Sequence, residues 1–133
     1  MKLNAINDEG VECELLAPLF RALLPAFTAR AKEMRIESDD SIIRISYDGD
    51  SSTARFDSPL HNYGVIAFSR ILILSKMNIA LEAVEQSGRF RVRFGKQLLP
   101  IDVASQRDDK GWQLVFRPAW TEAKADVVNE LST

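Results

Sequence analysis

The sequence predicts an α+β fold, a two-layer sandwich with helices on one face of a mixed β-sheet. Three observations predict it. Leu15, Leu16, Leu19, Phe20, Leu23, Leu24 and Phe27 recur at helical spacing. Val65, Phe68, Ile71, Leu72 and Leu74 spread apolar surface over a second helix, expected across 58–76. Around these two stretches, apolar and polar residues alternate as they do in half-buried strands. One domain is expected over 1–133, with a core from about 12–118 and a C-terminal helix or tail over 119–133.

Residues 1–10 are polar enough to read as a loose lead-in ending at Asp8-Glu9-Gly10. The first helix is expected over about 12–33. Pro18 fits near its start, and Pro25 should kink it, because proline removes a backbone donor and crowds the preceding turn. Strands are expected over Met34–Glu37 and Ile42–Tyr47, joined by a turn at Ser38-Asp39-Asp40. Asp48-Gly49-Asp50 is a turn signal, and Ser52–Phe56 a short third strand. Ser58 is a good N-cap for the central helix, and Pro59 suits its first position. After it, Ile79–Val84 alternates as a strand and Gln86-Ser87-Gly88 turns the chain. Phe90, Val92 and Phe94 alternate strictly with Arg89, Arg91 and Arg93. A turn at Gly95-Lys96 leads to Leu98–Val103, where Pro100 predicts an edge or bulged strand. Beyond the turn at 108–111, Trp112, Leu114 and Phe116 face one side of a last strand. Thr121 is positioned to cap a final helix through Leu131.

Bulk properties exclude several classes. A chain of 133 residues can bury its own core, and 46% hydrophobic with 27% charged residues is ordinary for a water-facing globular fold. A formal net charge of −2 gives no bulk attraction to nucleic acid or anionic membranes. The single cysteine, Cys13, excludes an internal disulfide and fits a reducing cytoplasm. The N-terminal residues lack the apolar run of a signal peptide. The apolar stretch Val65–Leu74 is interrupted by Ser69 and Arg70 and falls short of the roughly 20 residues a membrane span needs.

Three segments, taken together, resemble the GHKL superfamily, and most of all the ATPase domain of the DNA gyrase B subunit. Lys32 through Gly49 resembles that family's helix exit, hairpin and adenine-box turn. Leu60-His61-Asn62-Tyr63-Gly64-Val65 resembles its glycine-bearing entrance to the helix beneath the phosphates. Gly111–Phe116 resembles its closing strand. The resemblance implies a Bergerat-type fold. It also implies that the ATPase chemistry is lost. The positions of the family's catalytic glutamate and magnesium-binding asparagine fall near Ala17 and Arg21, which can neither accept a proton nor ligate magnesium. Tyr47 stands where the family reads adenine with aspartate, and Asp48 would point to the opposite strand face. Asn62 replaces a phosphate-side glycine, and Gln113 the closing-strand threonine. Nine residues between Gly49 and Pro59 are too few for an ATP lid.

The expectation is a non-catalytic binding or regulatory module acting through protein–protein contact, with no cofactor and no metal. The alternative is a nucleotide or small-molecule binder with a reshaped pocket. The contact candidates are Tyr47, Asp48, His61, Asn62, Tyr63 and Gly64 on the former nucleotide face, and Arg89, Arg91 and Arg93 on one strand face. His61 is the only histidine, which rules out a histidine cluster or a triad built on a second histidine. The helix entrance at Asn62-Tyr63-Gly64 can offer amides to an anion or simply cap the helix. The arginines can meet phosphates or pair across the sheet with Glu82, Glu85 or Asp102. No nucleic-acid motif accompanies them. Homodimerisation through an exposed edge near Leu98–Val103 is a further expectation.

Overall fold

A computed structural model of the chain describes residues 2–39, 42–48, 50–55, 63–78, 85–94, 97–108 and 111–122. Its elements are β1 (Leu3–Ile6), α1 (Ala17–Thr28), β2 (Met34–Asp39), β3 (Ile42–Tyr47), β4 (Asp50–Arg55), α2 (Tyr63–Leu74), β5 (Gln86–Phe94), β6 (Gln97–Asp108) and β7 (Gly111–Pro118). Short 3-10 turns precede α1 at Glu14–Leu16 and follow β7 at Trp120–Glu122.

Strands dominate this architecture. They form one seven-stranded sheet in the order β1-β5-β6-β7-β2-β3-β4. Every pairing in it is antiparallel. The sheet curls as a half-barrel, so the expected α+β sandwich with a mixed sheet is not what forms. The physical reason lies in where the last strand goes. A helix between two sets of strands can serve as a parallel crossover. Here β7 instead turns back and pairs antiparallel with β2, from Met34↔Phe116 to Ser38↔Trp112. The lead-in also departs from expectation. Residues 3–6 pair with β5 as β1, because Leu3 and Ala5 alternate into the core opposite Phe94 and Val92.

α1 begins later and ends earlier than the periodicity predicts. Pro18 sits in its first turn, and Pro25 lies inside it on the exposed side. There the Arg21 carbonyl, denied its usual donor, can bond water, which is why the helix tolerates the proline. Both helices stop on left-handed residues that are not glycine: Arg30 (φ 55°) and Lys76 (φ 62°). The following amides close the ends, Ala31 N–H to Ala26 C=O at 3.1 Å and Met77 N–H to Leu72 C=O at 2.8 Å.

Two local expectations about the later strands are corrected. Gln86-Ser87-Gly88 is not a turn but the start of β5. Gly88 is there because a Cβ would stand 2.3 Å from the Ser75 carbonyl oxygen, where the end of α2 crosses the strand. Pro100 marks no edge of the sheet as a whole, because β6 lies between β5 and β7, but it stands just past the β7 pairing, which starts at Ile101↔Pro118. Its carbonyl accepts from Ala119 N–H at 2.9 Å, just past the end of β7. The missing proline N–H points the same way, beyond the last paired residue Pro118, so no ladder bond is lost.

The core joins the buried faces of both helices to the inward rows of the sheet. Phe20 is its aromatic centre, with ring centroids 6.1 Å from Phe90, 6.2 Å from Phe27 and 6.4 Å from Phe116. Trp112, Leu114 and Phe116 are buried on one side of β7, as their alternation predicts. Trp120 closes the core edge against Phe27 and donates its indole N–H to the Ala31 carbonyl at 3.0 Å. The predicted helix start at Ser58-Pro59, the strand at 79–84, the turn at 95–96 and the helix beyond residue 122 lie outside the described residues.

Candidate functional site

The expected nucleotide-face residues divide by their surroundings. His61 and Asn62 lie outside the described residues. Tyr47 is half-buried at the end of β3 and packs against the core. Asp48 follows it in an exposed turn with φ 45°. Gly64 is buried in the first turn of α2. Tyr63 is buried too, and its hydroxyl is committed: it donates to the Leu15 carbonyl at 2.8 Å and accepts from Leu19 N–H at 3.2 Å. Burial pushes its phenol up to about 12. Its oxygen therefore serves the start of α1, where Leu16 supplies no side-chain cap.

The arginine row is likewise held by this chain. Arg89, Arg91 and Arg93 occupy alternate positions of β5, as the sequence predicts. Arg89 makes a fork with Asp102, 2.7 and 3.1 Å, and reaches Glu122 at 2.9 and 3.0 Å. These carboxylates, Asp102 first, hold its guanidinium more firmly protonated than usual. Arg91 donates to the carbonyls of Asn7 and Asp8. Arg93 passes over Gly10, where a Cβ would meet its guanidinium at 3.1 Å. Across the strands the row continues by register, Arg89↔Asp102↔Arg117. Arg117 then reaches Glu33 at 3.2 Å, which also pairs with Arg35. Arg35, then Arg117, lowers the Glu33 carboxyl below its usual range. Arg89 and Arg117 are thus charge-compensated across the strands, while Arg91 meets only carbonyl oxygens.

A different feature has the shape of a binding site. A cleft of about 250 Å³ opens between β1 and α1, walled by Leu3, Ala17, Phe20 and Leu24 with Lys2 and Arg21 beside them. None of these was a contact candidate from sequence. The only hint was that 17, 20, 21 and 24 share one helix face, and without β1 opposite them that face has no meaning. Among the described residues no cluster of histidine, cysteine, aspartate and glutamate could hold a metal ion, and no helix is long and apolar enough to cross a membrane. Of the edge expected near Leu98–Val103, residues 101–103 are covered by β7, while 98–100 pair with β5 alone.

No protein-family model matches the chain. Relatives do. The chain is 26% identical over 115 residues to type II secretion system protein E of Xanthomonas campestris pv. campestris, covering 86% of this chain and 20% of that protein. It is 25% identical over 115 residues to type II secretion system ATPase E of Vibrio cholerae, and 27% identical to the E protein of Aeromonas hydrophila, each match covering 84% of this chain and 23% of the relative. The chain therefore spans about a fifth of the length of these relatives. These matches overturn the GHKL and gyrase B resemblance. Its three motifs were short, and each is a common turn, helix entrance or strand, so their order alone carried the likeness. What the chain is similar to is a portion of type II secretion system protein E.

Proposed function

We propose that this chain is a non-catalytic module that makes the protein contacts the corresponding part of a type II secretion E protein makes in its assembly. The observation that carries the reading is the lopsided match: 86% of this chain against 20% of the relative. A likeness confined to that share fits a contact-making portion better than a whole enzyme. The residues agree. A phosphate-binding Gly-x-x-x-x-Gly-Lys-Ser/Thr loop does not occur in these 133 residues. The nearest approach is Gly88 with Gly95-Lys96, which has the wrong spacing, is followed by Gln97, and begins inside β5. On the sheet's outer face Arg89, Asp102, Glu122, Arg117 and Glu33 are engaged with one another rather than converging on a reacting group.

The test is competition. Type II secretion assemblies from Xanthomonas campestris are incubated with labelled E protein and increasing amounts of this chain. The expected result is saturable binding of the chain and displacement of the E protein, with no magnesium-dependent ATP turnover by the chain alone. An E protein that stays bound at saturating chain, or steady turnover by the pure chain, overturns the reading.

A further inference from the structure

β1 is an outermost strand whose free edge is only partly used. Cys13 N–H donates to the Ala5 carbonyl at 2.9 Å, and the Asn4 side-chain carbonyl accepts from Ala5 N–H at 2.8 Å. The Cys13 bond lies on the side away from β5, because Ala5 already has β5 on its other flank. Backbone groups two residues apart on a strand point the same way. The N–H and C=O of Leu3 therefore also face away from β5, and neither has a partner among the described residues.

These two groups stand beside the cleft between β1 and α1. Its walls are apolar, formed by Leu3 on one side and by Ala17, Phe20 and Leu24 on the other. Two cations accompany it. Lys2 is compensated by Glu12 at 2.8 Å. Arg21 is exposed and has no ion-pair partner among the described residues. An unused strand edge, an adjoining apolar recess and an uncompensated cation together define a partner: an extended chain, with an aliphatic side chain and a carboxylate on the same face.

We propose that this cleft docks an extended acidic segment of a protein partner, which adds to the edge of β1 opposite Leu3. A leucine or similar residue enters the recess while its backbone exchanges two hydrogen bonds with Leu3. A carboxylate two residues away, on the same face of the added strand, meets Arg21. The assignment rests on the protein-contact reading above and names where and what the chain contacts.

The experiment is an NMR titration of the whole ¹⁵N-labelled chain with a blocked peptide, threonine-glutamate-threonine-leucine-threonine-glutamate-threonine. Saturable amide shifts centred on Leu3, Asn4, Phe20 and Arg21 are expected. Replacing both glutamates by glutamine, or substituting Arg21→Glu, should each weaken binding about tenfold, the factor one charge-assisted hydrogen bond is worth. Methylating the leucine amide nitrogen should abolish binding, because that N–H must reach the Leu3 carbonyl. Arg21 is exposed, so an unchanged melting temperature for Arg21→Glu establishes that the variant is folded. Equal binding of the glutamine or N-methyl peptide, shifts centred elsewhere, or no shift at millimolar peptide overturns the assignment. A chain that displaces the E protein yet ignores the peptide defeats the cleft alone. A chain that binds the peptide but displaces nothing defeats the functional reading alone.

Discussion

Tyr63 ties α2 to the start of α1 through one oxygen. Its hydroxyl satisfies Leu19 N–H, an amide of the first turn of α1 that no N-cap side chain reaches, and returns a bond to Leu15. Tyr63→Phe should cost about 1–3 kcal/mol, since it deletes both of these bonds and leaves the buried Leu19 amide unpaired. Urea unfolding at neutral pH measures it. The same residue gives a pH signature. The phenol titrates near 10 in the unfolded chain and about 12 when folded. The folded state therefore holds this proton more tightly, and its contribution is full below pH 10 and lost as pH rises to 12. Unfolding series of the wild type and Tyr63→Phe across that window should converge as pH rises. Parallel curves would contradict the assignment. Sequence marked Tyr63 as a contact candidate because it sits at a helix entrance. What it could not show is that the hydroxyl reaches back 44 residues to another helix.

Close approach governs the elements. β5 passes beneath the end of α2 so tightly that position 88 admits no side chain. Gly88→Ala should destabilise by about 2 kcal/mol or more, because the contact atom is backbone and cannot rotate away. Thermal unfolding of that variant checks it, and an unchanged melting temperature would mean that the crossing is looser than described. Element types were legible where periodicity was strict. α1, β3, β5 and β7 follow from Leu19, Phe20 and Leu23, from Ile43 and Ile45, from Phe90 and Val92, and from Trp112 through Phe116. Glycine and proline misled for one reason. Gly88 read as a turn, and Pro100 as an edge, because both are punctuation in a local reading. In the sheet one serves a neighbouring helix, and the other serves the position where β7 ends.

At the scale of the molecule, pairing order was the hidden variable. β1 on β5 and β7 on β2 join segments far apart in sequence, and no local pattern specifies them. Once they form, the sheet is antiparallel throughout, the arginine row of β5 lies along Asp102, and the one face of α1 that β1 does not seal becomes a cleft. Among the described residues, Arg89 and Arg117 then have their charge met by this chain, whereas the Leu3 backbone groups beside the cleft do not have partners. The proposed cleft was poorly legible for that reason: candidates were sought at helix entrances, whereas the unpaired groups of Leu3 stand on an edge strand read as a loose lead-in. The protein-contact reading is tested most directly by displacing labelled type II secretion E protein from its assembly with this chain. Saturable, complete displacement is expected, accompanied by no ATP turnover from the chain itself. E protein that remains fully bound at saturating chain would contradict it.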